Sequence, residues 1–207
     1  MNEQVTEVKK LRGYYLVCLD SGDAFKVPPP VIRAFPLKAG DKVHAEPYFA
    51  ACIKETKRFA SERAAFLLER KDYPAKQLHE KLTMVGYPES IADEVLYFLL
   101  SRGYIDDKRY AKRFVEKKMG KTGASRIRQE LLIRGISKED IDEALQELID
   151  MDDQLHAAIA HVEKYKKTRK QYDPMKLRNN AIAMLARRGF SFEIAKKAFD
   201  MALQSDE

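Results

Sequence analysis

The sequence predicts a mainly α-helical protein in which tandem three-helix repeats form an elongated curved rod, preceded by a small β-rich N-terminal module. Three observations support this fold class. Charged residues make up 34% of the chain and only nine of its 207 residues are glycine, a composition that favours solvated helices. The first fifty or so residues are instead rich in strand formers and turn signals. Beyond them, one pattern of glycine and apolar residues occurs three times.

Residues 1–52 are predicted to form the β-rich module. Within 14–27, strand formers flank a turn signal at 20–23, so a β-hairpin is expected. Three consecutive prolines at 28–30 end its second strand, because proline has no backbone N–H to donate to a strand ladder. The segment 37–43 suggests a turn that leads into a third short strand.

Three glycines mark the repeats: Gly86, Gly135 and Gly189. A leucine stands four residues before each glycine, and an apolar residue follows it directly. A glycine just past a helix end adopts the left-handed cap conformation without a Cβ penalty, and the next residue then folds back onto the leucine. The leucines are Leu82, Leu131 and Leu185, and the following residues are Tyr87, Ile136 and Phe190.

Capping signals and charge runs place the remaining helices and the boundaries of the repeats. Ser137 with Asp140 resembles a capping box, and Ser191 suits a helix N-cap. Each repeat also has an earlier helix, expected near 56–71, 107–119 and 153–169. The predicted three-helix repeats span 53–103, 104–150 and 151–207.

Positive charge is concentrated in two windows, although the net charge of the whole chain is only +6. Residues 108–134 hold ten Lys or Arg against two acidic residues, and residues 161–189 hold nine against two. The rest of the chain carries a net charge of −9. Such segregation is typical of a protein that binds a polyanion. The alternative, a set of basic helix faces that are merely solvated, stays open at this point.

No catalytic, cofactor or metal site is predicted. The segment 120–123 resembles part of a phosphate loop, but Val115 stands where that motif needs glycine, and a helix rather than a strand precedes it. Asp106 and Asp107 are interpreted as the negatively charged start of a helix. The four histidines and two cysteines lack ligand spacing. We therefore expect a protein that is not an enzyme and needs no cofactor.

The sequence also shows no signal peptide, no apolar run of membrane-spanning length and no disulfide framework. A cytoplasmic protein without membrane contact is therefore expected. We also expect it to be a monomer.

The candidate binding surface is the basic side of the helices in the two charged windows. In 108–119, the apolar stripe holds Tyr110, Ala111, Phe114 and Val115, and basic residues fall towards the other side. Such a surface binds single- or double-stranded DNA weakly, without regard to sequence, and loses affinity as salt rises. The candidates are Arg109, Lys112, Arg113, Lys117, Lys118, Lys121, Arg126, Arg128, Arg134, Lys164, Lys167, Arg169, Lys170, Arg187 and Arg188.

The string Ser-Arg-Gly-Tyr-Ile-Asp-Asp-Lys-Arg-Tyr-Ala at 101–111 resembles the most recognisable motif of the RecX family. The segments 123–131 and 134–145 are similar to the middle repeat of that family, and the layout of three repeats from about 59 to 203 also matches. The resemblance covers some two-thirds of the chain. The first fifty or so residues resemble a β-rich extension that some members carry.

The resemblance implies a regulator of the RecA recombinase. Such proteins dock along the groove of the RecA–DNA filament, and many inhibit its ATP hydrolysis, strand exchange and coprotease activity. It also implies structural roles for Tyr104, Ile105, Tyr110 and Ala111, and a filament-facing side that includes Arg109, Arg113, Arg126, Arg128 and Arg134.

Two other functions are weighed against this one. The first is a stand-alone helical DNA-binding protein that acts independently of RecA, but no repeat shows an obvious recognition helix with base-reading side chains. The second is an enzyme acting on nucleic acid, and no carboxylate cluster or nucleotide loop supports it.

Overall fold

The computed structural model of the protein describes residues 3–168 and 173–204. The chain divides after Asp106 into two compact units, which we call unit 1 and unit 2. Helices make up most of the described chain, and its one sheet lies near the N-terminus. The predicted fold class, a mainly α protein with three-helix repeats after a small β-rich module, is confirmed.

The N-terminal sheet is antiparallel, with three strands in the order β1, β2, β3. The predicted hairpin is confirmed: Tyr15 pairs with Val27, and Cys18 pairs with Ala24. As expected from the prolines, the last strand ends at Val27, and a short helix begins at Pro29. The bounds are β1 Val5–Lys10, β2 Tyr15–Leu19, β3 Ala24–Val27 and α1 Pro29–Ala34.

The prediction of a third strand within 37–43 is wrong: the third strand of the sheet is β1, which pairs with β2. Lys42 forms only an isolated bridge with Gln4. The segment turns at Gly40, whose N–H donates to the Val5 carbonyl at 2.8 Å. Strand β1 carries charged side chains typical of a sheet edge, which hid it in the sequence.

The rest of unit 1 is helical and shares one hydrophobic core with the sheet. Val17 and Val27 of the sheet and Leu78 and Leu82 of the helices are fully buried in this core. Burial of apolar surface on both elements gives the small sheet the packing partner that it needs. The helices are α2 Ala45–Ala51, α3 Ile53–Arg70, α4 Ala75–Met84 and α5 Glu89–Ser101.

Unit 2 contains two three-helix repeats, each with a hydrophobic cluster of its own. Ile127, Leu131 and Ile141 are fully buried in the first cluster, and Leu185 and Phe199 are buried in the second. We call these bundles repeat 2 and repeat 3. Repeat 2 is α6 Asp107–Lys118, α7 Ala124–Ile133 and α8 Lys138–Leu148, and repeat 3 is α9 Met151–Lys167, α10 Pro174–Arg187 and α11 Phe192–Gln204.

The glycine caps have the predicted geometry. Gly86, Gly135 and Gly189 have φ angles of 97°, 88° and 87°. In each case the next residue donates its N–H back to the carbonyl of the leucine. These bonds join Tyr87 to Leu82 at 3.3 Å, Ile136 to Leu131 at 3.2 Å and Phe190 to Leu185 at 3.2 Å.

Two predicted N-caps are also confirmed. The Ser137 hydroxyl accepts from the N–H of Asp140 at 3.1 Å, and the Ser191 hydroxyl accepts from the N–H of Ile194 at 3.2 Å. Within the described ranges, none of the helices combines the length and the apolar character needed to cross a membrane.

Candidate functional site

Repeats 2 and 3 meet where the end of α10 approaches the start of α7. The Gly123 N–H donates to the Arg188 carbonyl at 2.9 Å, and the Ser125 N–H donates to the Gly189 carbonyl at 3.2 Å. A Cβ on Gly123 would lie 2.1 Å from the backbone of Gly189, so glycine is required at this contact. The close approach brings together basic residues that are some sixty positions apart in the sequence.

Side chains reinforce the same junction. The Gln154 Oε1 atom accepts from the Ala124 N–H at 3.1 Å, and the His161 Nε2 atom lies 3.0 Å from the Lys121 carbonyl oxygen. Arg126 donates through Nη1 to the carbonyl of Arg187 at 3.2 Å. Helices α7, α9 and α10 therefore all contribute to the junction.

A cleft of about 440 Å³ opens beside this junction, and we call it the basic cleft. Of the described residues that line it, five are cationic and one is acidic. Its volume falls in the usual range for small-ligand sites. The lining residues are Lys118, Lys121, Thr122, Arg126, Glu130, Met184, Arg187 and Arg188.

Glu130 forms ion pairs with several of the cations around the cleft. Its carboxylate lies 3.1 Å from Lys118 Nζ and 3.3 Å from Arg126 Nε. Arg134 Nη1 is 3.8 Å away on the next turn. Burial raises the pKa of Glu130, but hydrogen bonds from Lys118 and Arg126 and the nearby cations outweigh this effect, so the pKa lies below its ordinary value. Glu130 is therefore ionised at neutral pH.

The other cations of the basic cleft are not neutralised by acidic side chains in the described part of the chain. Among the described residues, no acidic side chain lies within 4.0 Å of Lys121, Arg187 or Arg188, and all three are exposed. Two backbone N–H groups at the start of α7 already donate to carbonyls at the end of α10. Those N–H groups are already used, so side chains are the donors that the cleft offers to an anion.

A second set of cations faces helix α8, and we call Lys108, Lys112 and Arg128 the α8-facing cations. Lys108 lies 2.7 Å from Glu143, and Lys112 lies 2.5 Å from Glu147. Arg128 forms an ion pair with Asp142. The hydrogen bond from Lys108 holds the pKa of Glu143 below its ordinary value. These charges are largely cancelled within repeat 2.

The remaining candidates lie elsewhere. Arg134 donates to the Glu130 carbonyl at 2.6 Å and stacks on Phe114 with 4.6 Å to the ring centroid. Arg109, Arg113 and Lys117 are exposed on α6 outside the lining of the cleft, as are Lys164 and Lys167 on α9. Arg169 and Lys170 lie outside the described residues.

Sequence reasoning nominated the five cations of the basic cleft but missed Glu130, Thr122 and Met184. The spacing of Arg126, Glu130 and Arg134, four residues apart on one helix, was a signal for Glu130. No comparable signal exists for Met184, because only the contact between repeats brings it to the cleft. Within the described part of the chain, no group of three His, Cys, Asp or Glu side chains is arranged to hold a metal ion.

Two family models match the chain within unit 2. The second three-helix domain of RecX matches residues 106–145, and the third matches residues 152–199. The regulatory protein RecX of Clostridium botulinum (strain Eklund 17B / Type B) is 29% identical over 188 residues, which cover 90% of this chain and 89% of that protein. The regulatory protein RecX of Bacillus subtilis (strain 168) is 27% identical over 207 residues, with 99% and 78% covered.

Solved structures agree with these matches. The crystal structure of a regulatory protein RecX has a TM-score of 0.66 and 25% identity, and the match covers 99% of this chain and 100% of that one. This chain belongs to the RecX family. RecX from Lactobacillus salivarius, with a TM-score of 0.66, 21% identity and coverage of 73% and 99%, shares the fold.

Membership of the RecX family confirms the resemblance seen in the 101–111 motif. The two matched segments together contain every described residue that lines the basic cleft. The cleft is therefore built from the family's own second and third domains, at the place where they meet.

Proposed function

We propose that this RecX-family protein binds the RecA–DNA filament and lowers the recombinase, ATPase and coprotease activities of RecA. The observation that carries the proposal is the basic cleft, where five cations face one carboxylate across a junction of two family domains. A filament built on DNA is a polyanion with repeated sites, and such a cleft supplies affinity that does not depend on base sequence.

The protein acts by binding, as a cytoplasmic monomer, with no catalysis of its own and no cofactor. A regulator of a filament that forms on any DNA sequence has no need to read bases. Phosphate contacts from arginine and lysine position a protein on nucleic acid without carrying sequence information. The unequal repeats do not form a symmetric pair of recognition helices for a palindromic DNA site. A stand-alone DNA-binding protein that recognises sequence would need such elements.

The test is a titration of RecA-driven ATP hydrolysis on single-stranded DNA with the purified protein. We expect the rate to fall with dose when DNA is in excess over the regulator, because binding acts on the filament rather than by removing free DNA. An unrelated ATPase stimulated by single-stranded DNA serves as the control and should keep its rate. A RecA rate that stays constant over the whole titration contradicts the proposal.

A further inference from the structure

We propose that the basic cleft binds the phosphodiester groups of a nucleic-acid strand directly, with Lys121, Arg187 and Arg188 as the contacting residues. The inference deepens the proposed function and rests on it for the source of the strand. It also divides the cations of unit 2 into two classes. Those of the cleft contact ligand, and the α8-facing cations hold repeat 2 together.

The charge balance in the cleft supports an anionic ligand. Glu130 is shared by Lys118 and Arg126 at 3.1 and 3.3 Å, so those two cations are partly neutralised. The other three cations of the lining have no acidic side chain within 4.0 Å among the described residues. Like charges that line one cleft repel one another, and a bound phosphate relieves the repulsion.

The chemistry of the side chains favours phosphate. Arginine carries a planar guanidinium that donates two parallel hydrogen bonds to a phosphate, and lysine adds a mobile point charge. Arg187 is the last residue of α10 and Arg188 is its C-cap, so both project from a backbone that the glycine contact fixes. The Thr122 hydroxyl adds a neutral group that can donate to a phosphate oxygen.

The polar lining favours nucleic acid over an acidic protein surface. Among the described residues that line the cleft, Met184 is the only one with a wholly apolar side chain, and none is aromatic. Protein partners usually bury an apolar centre that includes aromatic residues. Interfaces with nucleic acid are more polar and far more positively charged. An acidic face of a protein partner is therefore the alternative outcome of the test.

The experiment measures binding of a fluorescein-labelled oligothymidine strand by the full chain without RecA, using fluorescence anisotropy. The cleft variant is Arg187→Glu/Arg188→Glu, and the matched control is Lys196→Glu/Lys197→Glu. Both pairs are adjacent exposed cations in unit 2. Each variant replaces two cations with two glutamates, so the change in net charge is the same. Lys196 and Lys197 lie outside the lining of the cleft.

We expect the cleft variant to lose affinity about tenfold or more and the control to change by less than about twofold. The slope of log K against the logarithm of the salt concentration should become shallower by about 1.4 in the cleft variant. Each phosphate contact to a single strand contributes about 0.7 to that slope, and the variant loses two contacts. Equal losses in the two variants would overturn the assignment. Arg187→Gln/Arg188→Gln, which keeps side-chain size, replaces the charge reversal if thermal melting shows that the latter unfolds.

RecA ATPase assays on the same proteins separate this inference from the proposed function. If the wild type binds the strand as expected but leaves RecA activity unchanged, the proposed function is wrong and the cleft assignment stands. If the cleft variant keeps its affinity for the strand but no longer inhibits RecA, the cleft contacts protein, and the phosphodiester assignment is wrong.

Discussion

The basic cleft and the α8-facing cations use the same residue types within one unit, but they differ in whether acidic side chains neutralise their charges. Lys108, Lys112 and Arg128 each lie against an acidic side chain of α8. Lys121, Arg187 and Arg188 have no such neighbour among the described residues. Counting charge along the sequence puts both groups in the two basic windows, residues 108–134 and 161–189. Only the contacts between helices show which cations are still available to a partner.

The largest expected effect comes from removing the core that supports both regions. Helix α7 carries Arg126 and Glu130 towards the cleft and Arg128 towards α8, and the fully buried Leu131 anchors it. Leu131→Ala should lower the free energy of unfolding by roughly 2–5 kcal/mol, because a buried leucine leaves a cavity. Urea unfolding measures it, with the exposed Leu132→Ala as the control. Equal stability of the two variants would show that the assigned core is wrong.

The next effect breaks the cleft and spares the α8-facing cations. In Gly123→Ala the added methyl meets the Gly189 backbone at 2.1 Å, so the ends of α7 and α10 must separate. We expect a loss of about 1–3 kcal/mol in stability, as for other overpacked contacts, together with weaker binding of oligothymidine. Ser125→Ala, at an exposed side chain on the same turn, is the control. Unchanged binding by Gly123→Ala would mean that the junction does not shape the cleft.

The helical repeats and their caps followed from the sequence because they depend on local chemistry. Gly135 with Leu131, or Ser137 with Asp140, fixes its own turn through contacts a few residues apart. The hairpin at 15–27 was predictable for the same reason. Strand β1 was missed, since its pairing with β2 outweighs the charged side chains along it.

The site was predicted less completely because it depends on distant contacts. Arg187 and Arg188 were nominated among fifteen candidates, with nothing local to separate them from Lys112 or Arg128. Arg187 and Arg188 differ from Lys112 and Arg128 because they lie beside the contact between Gly123 and Gly189. That contact joins two repeats through residues far apart in the chain. The periodicity of a single helix contains no information about that approach.

Glu130→Gln tests how the acidic residue of the basic cleft affects binding. The substitution removes the only negative charge among the described residues that line the cleft, so oligothymidine should bind about two- to fivefold more tightly, or roughly 0.5–1 kcal/mol. Because the folded-state pKa of Glu130 lies below its ordinary value of 4.5, its stabilising effect is present above that pH and is lost as pH falls through the folded pKa. Acid unfolding of the variant should therefore depend less on pH there. Weaker binding would show that Glu130 acts mainly by positioning Arg126.

The smallest effect is expected at the α8-facing cations. Lys112→Gln removes the surface ion pair with Glu147 and a longer contact with Glu143 at 4.0 Å, and exposed pairs of this kind contribute about 0.2–1 kcal/mol to stability. We expect a small drop in the midpoint of urea unfolding and no change in oligothymidine binding. Glu147→Gln is the matched control, since it breaks the same pair from the other side. A clear loss of binding in Lys112→Gln alone would place this residue on the binding surface.

The most direct measurement compares two variants that each lose two positive charges, Arg187→Gln/Arg188→Gln in the cleft and Lys112→Gln/Arg128→Gln facing α8. Anisotropy with oligothymidine at low salt gives the affinity of each. We expect the cleft variant to bind about three- to tenfold more weakly than the wild type, and the α8-facing variant to stay within about twofold. Equal losses would contradict the division between free and cancelled charge, and so would a larger loss in the α8-facing variant.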